Sequence, residues 1–166
     1  MTNPLPQGDL RLLDTPVAQR LLQAAIPARL GYAGHDGLPR VVPMNAVWMD
    51  GELVMGAFAG TYKISALRSR PDVAVSVDTT DGGAAALLLR GRVTLAEVEG
   101  VLPEYAVAQR KVTGAGADAY LAAIDVPGLR MVRVGLRPTW VGLLDFAERI
   151  PARTPAPVRA ALQAPS

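Results

Sequence analysis

The most informative part of the sequence is residues 29–78, RLGYAGHDGLPRVVPMNAVWMDGELVMGAFAGTYKISALRSRPDVAVSVD. Its apolar, strand-like runs are separated by two short turn segments, GHDG at 34–37 and Asp50-Gly51. Such turns supply the positive φ angles that hairpin connections need. The runs ARLGYA, RVVPMNAVWM and ELVMGA are therefore predicted to be three antiparallel strands in a meander, and VAVSVD at 73–78 a fourth strand.

Strands also dominate the later part of the chain. The run at 85–98 is long enough for one bent strand, with a bulge or kink at Gly91. The segments MVRVGL and TWVGLLDF are predicted to form a final hairpin or bent strand around Pro138. Many strands with few helices indicate a β-barrel, here six-stranded and antiparallel.

Helical patterns occupy three places between these strands. Thr15-Pro16 combines a capping side chain with proline at the first helical position, so a helix is predicted over 15–25. A short helix is predicted from Thr61 to the residues before Pro71. Residues 101–124 return to helical spacing, with an interruption near Gly114 and Gly116.

The composition narrows the possible functions. The 166 residues suit one domain and include no cysteine and a single histidine, His35. Disulfides, thiolate chemistry, iron–sulfur clusters and multi-histidine zinc sites are excluded, so no metal site is expected. A net charge of +2 without a basic block gives no indication of nucleic-acid binding, and no apolar run reaches the roughly 20 residues that cross a bilayer. A cytoplasmic protein is expected, and an enzyme of this composition needs a bound cofactor.

A candidate anion site combines Arg40, at the start of the second strand, with Thr61, Tyr62 and Lys63 at the start of the short helix. A helix N-terminus offers unpaired N–H groups and a partial positive charge. The Thr61 hydroxyl, the following amides and the Lys63 ammonium are therefore suited to a phosphate, with a bidentate contact from Arg40. The alternative is a solvated lysine, an ordinary helix cap and a strand-edge charge.

The order of several short motifs resembles the pyridoxamine 5′-phosphate oxidase-like split-barrel superfamily. These motifs are an Asp-Gly turn, the strand Arg40-Val41-Val42-Pro43, the strand start DGEL, the helix start Thr61-Tyr62-Lys63 and the segment RPDV. The resemblance covers about residues 15–148. It implies a six-stranded antiparallel split barrel that forms a homodimer, with a flavin in the interface between the two chains.

The same resemblance implies roles for individual residues. Arg40, Val42, Pro43 and Met44 would line the isoalloxazine or phosphate side, Gly56 and Ala57 would flank the ring, and Thr61 and Lys63 would hold the phosphate. Tyr62 would stack on a ring or donate a proton, or else pack at the surface or interface. Arg90 would contact the cofactor from the fifth strand, or alternatively form an interfacial ion pair.

The implied activity is that of an FMN- or F420-dependent oxidoreductase that reduces a small conjugated substrate. Genuine pyridoxamine phosphate oxidases end in a Trp- and Arg/His-bearing motif, whereas this chain ends LDFAERIPARTPAPVRAALQAPS, so pyridoxamine phosphate is not the expected substrate. Haem- and tetrapyrrole-binding branches of the superfamily stay open, as does a non-catalytic module that binds a planar ligand. The segment 150–166 is expected to be flexible or to cover a partner.

Overall fold

The computed structural model describes residues 5–81, 83–145 and 154–162. Within them the strands are β1 Ala28–Ala33, β2 Pro39–Met44, β3 Ala46–Met49, β4 Glu52–Phe58, β5 Asp72–Thr79, β6 Ala85–Glu99, β7 Arg130–Leu136 and β8 Trp140–Asp145. The α-helices are α1 Pro16–Gln23, α2 Tyr62–Ser69, α3 Pro103–Thr113, α4 Ala117–Ile124 and α5 Ala156–Leu162, with short 3-10 turns at Leu10–Asp14 and Gly114–Gly116.

The strands form one antiparallel sheet in the order β2-β1-β5-β6-β7-β4-β3, and β8 also pairs with β6. β2 and β3 lie at opposite ends of this order, yet only Asn45 separates them along the chain. The sheet must therefore curl until its two ends meet at Asn45. This curled antiparallel sheet confirms the predicted split barrel.

The structure contains eight strands rather than the predicted six, because two predicted strands are each divided in two. Asn45 separates β2 from β3 within the predicted second strand. Residues 137–139 separate β7 from β8, and both pieces pair along the same side of β6. The last segment is thus a bent strand and not a hairpin. Gly91 lies at this bend, where a Cβ atom would come within 3.0 Å of the Arg137 carbonyl oxygen.

The predicted three-stranded meander is wrong. β1 and β2 form one hairpin, and β3 and β4 form another through a turn with positive φ at Asp50 (50°) and Gly51 (75°). The second neighbour of β4 is β7, and the second neighbour of β1 is β5. The bend at Asn45 sends the chain from one end of the sheet to the other, so the two hairpins do not share a strand.

Two helices close the core of the barrel. In α1, Leu21 and Leu22 are buried, and the Thr15 side chain caps the helix by accepting from the Ala18 amide. In α2, Ile64 and Leu67 are fully buried among the inward-facing strand residues. Each such side chain contributes about 1.5–3 kcal/mol by leaving water. Burial of this face fixes the direction in which the start of α2 points.

The predicted helical region 101–124 is confirmed, with its interruption at Gly114–Gly116 between α3 and α4. α3 packs against β3 and β4. Among the described residues there is no helix with the length and apolar character needed to span a bilayer. Of the predicted tail 150–166, residues 150–153 and 163–166 lie outside the described residues, and 154–162 include the largely exposed α5. That the tail is flexible or covers a partner stays a prediction.

Candidate functional site

A cleft of about 400 Å³ lies where the end of β2, the middle of β4, the start of α2 and one face of α3 meet. This volume falls in the range of about 300–1,000 Å³ found for small-molecule and cofactor sites. Six of the ten predicted site residues line it: Pro43, Met44, Gly56, Ala57, Thr61 and Lys63. The remaining lining residues are Pro27, Asn45, Phe58, Tyr105, Gln109 and Met131.

One end of the cleft is positively charged because α2 begins there. The Thr61 hydroxyl donates to the Phe58 carbonyl (2.9 Å) and forms no capping hydrogen bond with the helix. The amides of Tyr62 and Lys63 lie in the first turn, where N–H groups have no partner within a helix. The Lys63 side chain forms no ion pair or hydrogen bond with the residues that the structure describes. An ammonium group and a helix N-terminus therefore face the same cleft.

Three polar residues of the opposite wall were not predicted from the sequence: Asn45, Tyr105 and Gln109. Asn45 Nδ2 donates to Gln109 Oε1, and Gln109 Nε2 donates to the Tyr105 hydroxyl over 3.3 Å. The Tyr105 and Tyr120 hydroxyls are 2.9 Å apart. Burial and the hydrogen bond with Tyr120 raise the pKa of Tyr105 above its usual value, so the phenol stays protonated at neutral pH.

Gly56 allows this wall to form. A Cβ atom at Gly56 would lie 2.8 Å from both the Cβ and the Cδ2 of Tyr105. The ring of Tyr105 thus packs directly on the backbone of β4. The sequence signal for the wall is weak, since it consists only of the i, i+4 spacing that puts Tyr105 and Gln109 on one face of α3.

Comparison with known proteins found no matching family model and no match among the curated proteins. Solved structures do match. They include an F420 reductase at 24% identity and TM-score 0.58, covering 75% of this chain and 94% of that chain. A conserved hypothetical protein from Mycobacterium tuberculosis matches at 15% identity and TM-score 0.61, covering 94% and 99%. A pyridoxamine 5′-phosphate oxidase-related, FMN binding protein from Nostoc punctiforme matches at 13% identity and TM-score 0.54, covering 74% and 75%.

The chain shares the split-barrel fold of these solved structures. In this split barrel, the structure does not bring Arg40 into the cleft with Lys63. Arg40 forms an ion pair with Asp36 (2.7 Å) in the turn between β1 and β2. Its hydrogen bond lowers the pKa of the Asp36 carboxyl. A role for Arg40 in cofactor binding stays a prediction.

The other predicted residues also lie away from the cleft lining. Tyr62 is exposed, and its hydroxyl accepts from the His35 amide (3.1 Å) while the two rings meet edge to face. Val42 packs partly against the barrel core. The Arg90 guanidinium lies 3.9 Å above the centre of the Trp140 ring, on another part of the barrel. Side chains alternate along a strand, which is why neighbouring residues of β2 face different surroundings.

An ion-pair cluster centred on Arg133 anchors α3 to the barrel. Arg133 of β7 contacts Glu52 of β4 and Glu104 of α3, each at 2.9 Å. Partial burial is the largest single influence on the pKa of Glu104 and acts to raise it. The hydrogen bond from Arg133, the hydrogen bond from the Glu104 backbone and the charge of Arg133 together outweigh burial, and this pKa lies below its usual 4.5. Because Glu104 precedes Tyr105, the cluster holds the start of α3 beside the cleft.

The Glu104→Gln variant is expected to lower the free energy of unfolding by less than about 1 kcal/mol at neutral pH. A carboxyl whose pKa is depressed by folding contributes stability above its unfolded pKa, and this contribution is lost as the pH falls through the folded pKa. The difference from wild type should therefore shrink as the pH falls below about 4.5 in urea-unfolding series. The control is Glu99→Gln, since Glu99 has no ion pair within the described segments. A difference for Glu104→Gln that is constant down to acid pH would rule out the ionised pair.

Proposed function

We propose that this split barrel is a cytoplasmic oxidoreductase that uses FMN or the deazaflavin F420 to reduce a small conjugated substrate. The observation that supports it best is the cleft that joins an apolar wall to the Lys63 ammonium and the start of α2. An F420 reductase and an FMN binding protein have the same fold. This resemblance in fold and the chemistry of the cleft point in the same direction.

The residues present suit such a cofactor. Lys63 and the open amides of α2 would hold an anionic phosphate, which is the common use of a helix N-terminus next to a lysine. Pro43, Met44, Gly56 and Ala57 would form the apolar surface for a flat ring. When bound, the cofactor supplies hydride transfer. The chain itself would orient ring and substrate and keep water away from them.

The proposal includes a homodimer with the site at its interface. Val41 of β2 is 69% exposed, beside a mostly apolar groove of about 300 Å³ that also includes Gly31, Ala74 and Leu88. Val41 and Pro43 are two residues apart in β2 and face the same way, and Pro43 lines the cleft. A second copy that covers Val41 would therefore reach the edge of the cleft.

The test is purification from a host that makes both FMN and F420, followed by absorbance and mass-spectrometric identification of the bound cofactor. The loaded protein should oxidise the reduced cofactor faster with a quinone or an enone than without one. Light scattering on the same preparation should give the mass of a dimer. Tight cofactor binding without turnover would favour a non-catalytic binding module, and a loaded monomer would remove the dimer from the proposal.

A further inference from the structure

We propose that the Tyr105 hydroxyl donates a hydrogen bond to a substrate oxygen, the carbonyl oxygen of an enone or a quinone bound in the cleft. This inference rests on the proposed function and names both the residue that recognises the substrate and the chemical class of the substrate. It follows from the position of Tyr105 on the cleft wall and from the direction of the hydrogen bonds behind it.

The hydrogen-bond chain leaves Tyr105 only two groups to which it can donate, Tyr120 and a group in the cleft. Asn45 donates to the carbonyl oxygen of the Gln109 amide, so the other end of that amide, Nε2, faces Tyr105 as a donor. The phenol oxygen accepts this hydrogen bond, and a phenol has only one proton to give. Either hydroxyl can donate across the 2.9 Å contact with Tyr120. When a carbonyl oxygen binds in the cleft, Tyr120 donates to Tyr105 and the Tyr105 proton turns to that oxygen.

The ring of Tyr105 is held in place independently of this chain. It packs on Gly56, and neighbouring Glu104 is paired with Arg133. Gly56 and Ala57 also belong to the proposed surface for the cofactor ring, so the Tyr105 side chain borders the space beside it. Burial raises the pKa of Tyr105, so its hydroxyl acts as a hydrogen-bond donor rather than a base.

The proposed reaction needs Tyr105 only as a hydrogen-bond donor, because water supplies the proton. The β-carbon of the enone accepts hydride from the reduced cofactor, and a new C–H bond forms while the C=C π electrons move towards the carbonyl oxygen. The Tyr105 hydrogen bond stabilises the negative charge that develops on that oxygen. Water then protonates the α-carbon, which gives the saturated ketone and leaves the cofactor oxidised by two electrons.

The experiment compares Tyr105→Phe with Tyr32→Phe, a matched control in β1 away from the cleft lining. The reductant is reduced F420 or reduced FMN, whichever the protein binds, and the acceptor is cyclohex-2-enone. Tyr105→Phe should lower kcat by about 10- to 150-fold, the effect of a hydrogen bond to a charged group. On protein loaded with oxidised cofactor, where no hydride is present, the dissociation constant of cyclohex-2-enone should rise about 2- to 10-fold.

Tyr105→Phe should keep the cofactor affinity and melting temperature of the wild type, because its ring still packs on Gly56. Unchanged kcat and unchanged enone affinity in this variant, with an active wild type, would overturn the inference and leave the proposed function intact. Equal losses in Tyr32→Phe would also overturn it. A wild type that binds the reduced cofactor but passes hydride neither to the enone nor to a quinone would overturn both.

Discussion

Replacement of Lys63 by alanine is expected to weaken FMN or F420 binding by about 1.5–3 kcal/mol, the range for a hydrogen bond to a charged group. The Lys63 side chain lines the cleft and has no partner in the described parts of the chain. Its ammonium group therefore gives up no internal ion pair when it binds a phosphate. Fluorescence or absorbance titration of the cofactor-free protein measures the change.

Two variants serve as controls for Lys63→Ala. Arg40→Ala removes a cation of similar reach that is already paired with Asp36, and it should weaken binding by less than about 1 kcal/mol. Lys63→Arg keeps the charge and should retain most of the affinity. If Arg40→Ala had the larger effect, the phosphate would bind at the turn between β1 and β2 and not at the start of α2.

The Gly56→Ala variant is expected to lose about 1–3 kcal/mol of folding free energy, because the added methyl group overlaps the Tyr105 side chain at 2.8 Å. One of the two atoms it meets is the Tyr105 Cβ, which cannot move without moving α3. Displacement of α3 relieves this overlap but also deforms the cleft, so cofactor affinity should fall together with stability. Urea unfolding and cofactor titration measure the two effects.

Gly60→Ala is the matched control, since a Cβ at Gly60 meets no atom within 4 Å. Its stability should stay within about 0.5 kcal/mol of wild type. A second check combines Gly56→Ala with Tyr105→Ala. Once the ring is gone, the added methyl should cost little, so the double variant should be no less stable than Tyr105→Ala alone. Additive losses would mean that the methyl at position 56 is strained by something other than Tyr105.

Local signals in the sequence predicted most of the secondary structure. Asp50-Gly51 predicts a tight hairpin because few other pairs adopt positive φ at both positions, and the structure has 50° and 75° there. Thr15-Pro16 predicts the start of α1 for an equally local reason. Resemblance to a known superfamily supplied the barrel as a whole, which local patterns alone do not specify.

The bend at Asn45 could not be predicted in this way. One polar residue in an otherwise apolar run is compatible with a continuous strand, and only the pairing of β2 with β1 and of β3 with β4 separates the two halves. The Tyr105 wall was missed for a similar reason. Tyr105 and Gly56 are 49 positions apart in the numbering, and their contact depends on how α3 packs on the barrel.

The placement of Arg40 has a more local cause. Asp36 lies four residues before Arg40, in the turn between β1 and β2. Its carboxylate forms an ion pair with the Arg40 guanidinium at 2.7 Å. An acidic residue so close in the sequence competes with a phosphate for the arginine, and this competition can be recognised from the sequence. Lys63 has no such neighbour between Gly60 and Leu67, and it is the cation that lines the cleft.

The central claim is that Lys63 and the start of α2 bind the phosphate of a flat redox cofactor. The most direct measurement compares the dissociation constants of FMN and of riboflavin, which lacks the phosphate, for wild type and for Lys63→Ala. If the protein binds F420, its phosphate-free chromophore takes the place of riboflavin. The account predicts that Lys63→Ala weakens FMN binding by about 1.5–3 kcal/mol and leaves riboflavin binding nearly unchanged. Equal losses for both ligands would contradict it.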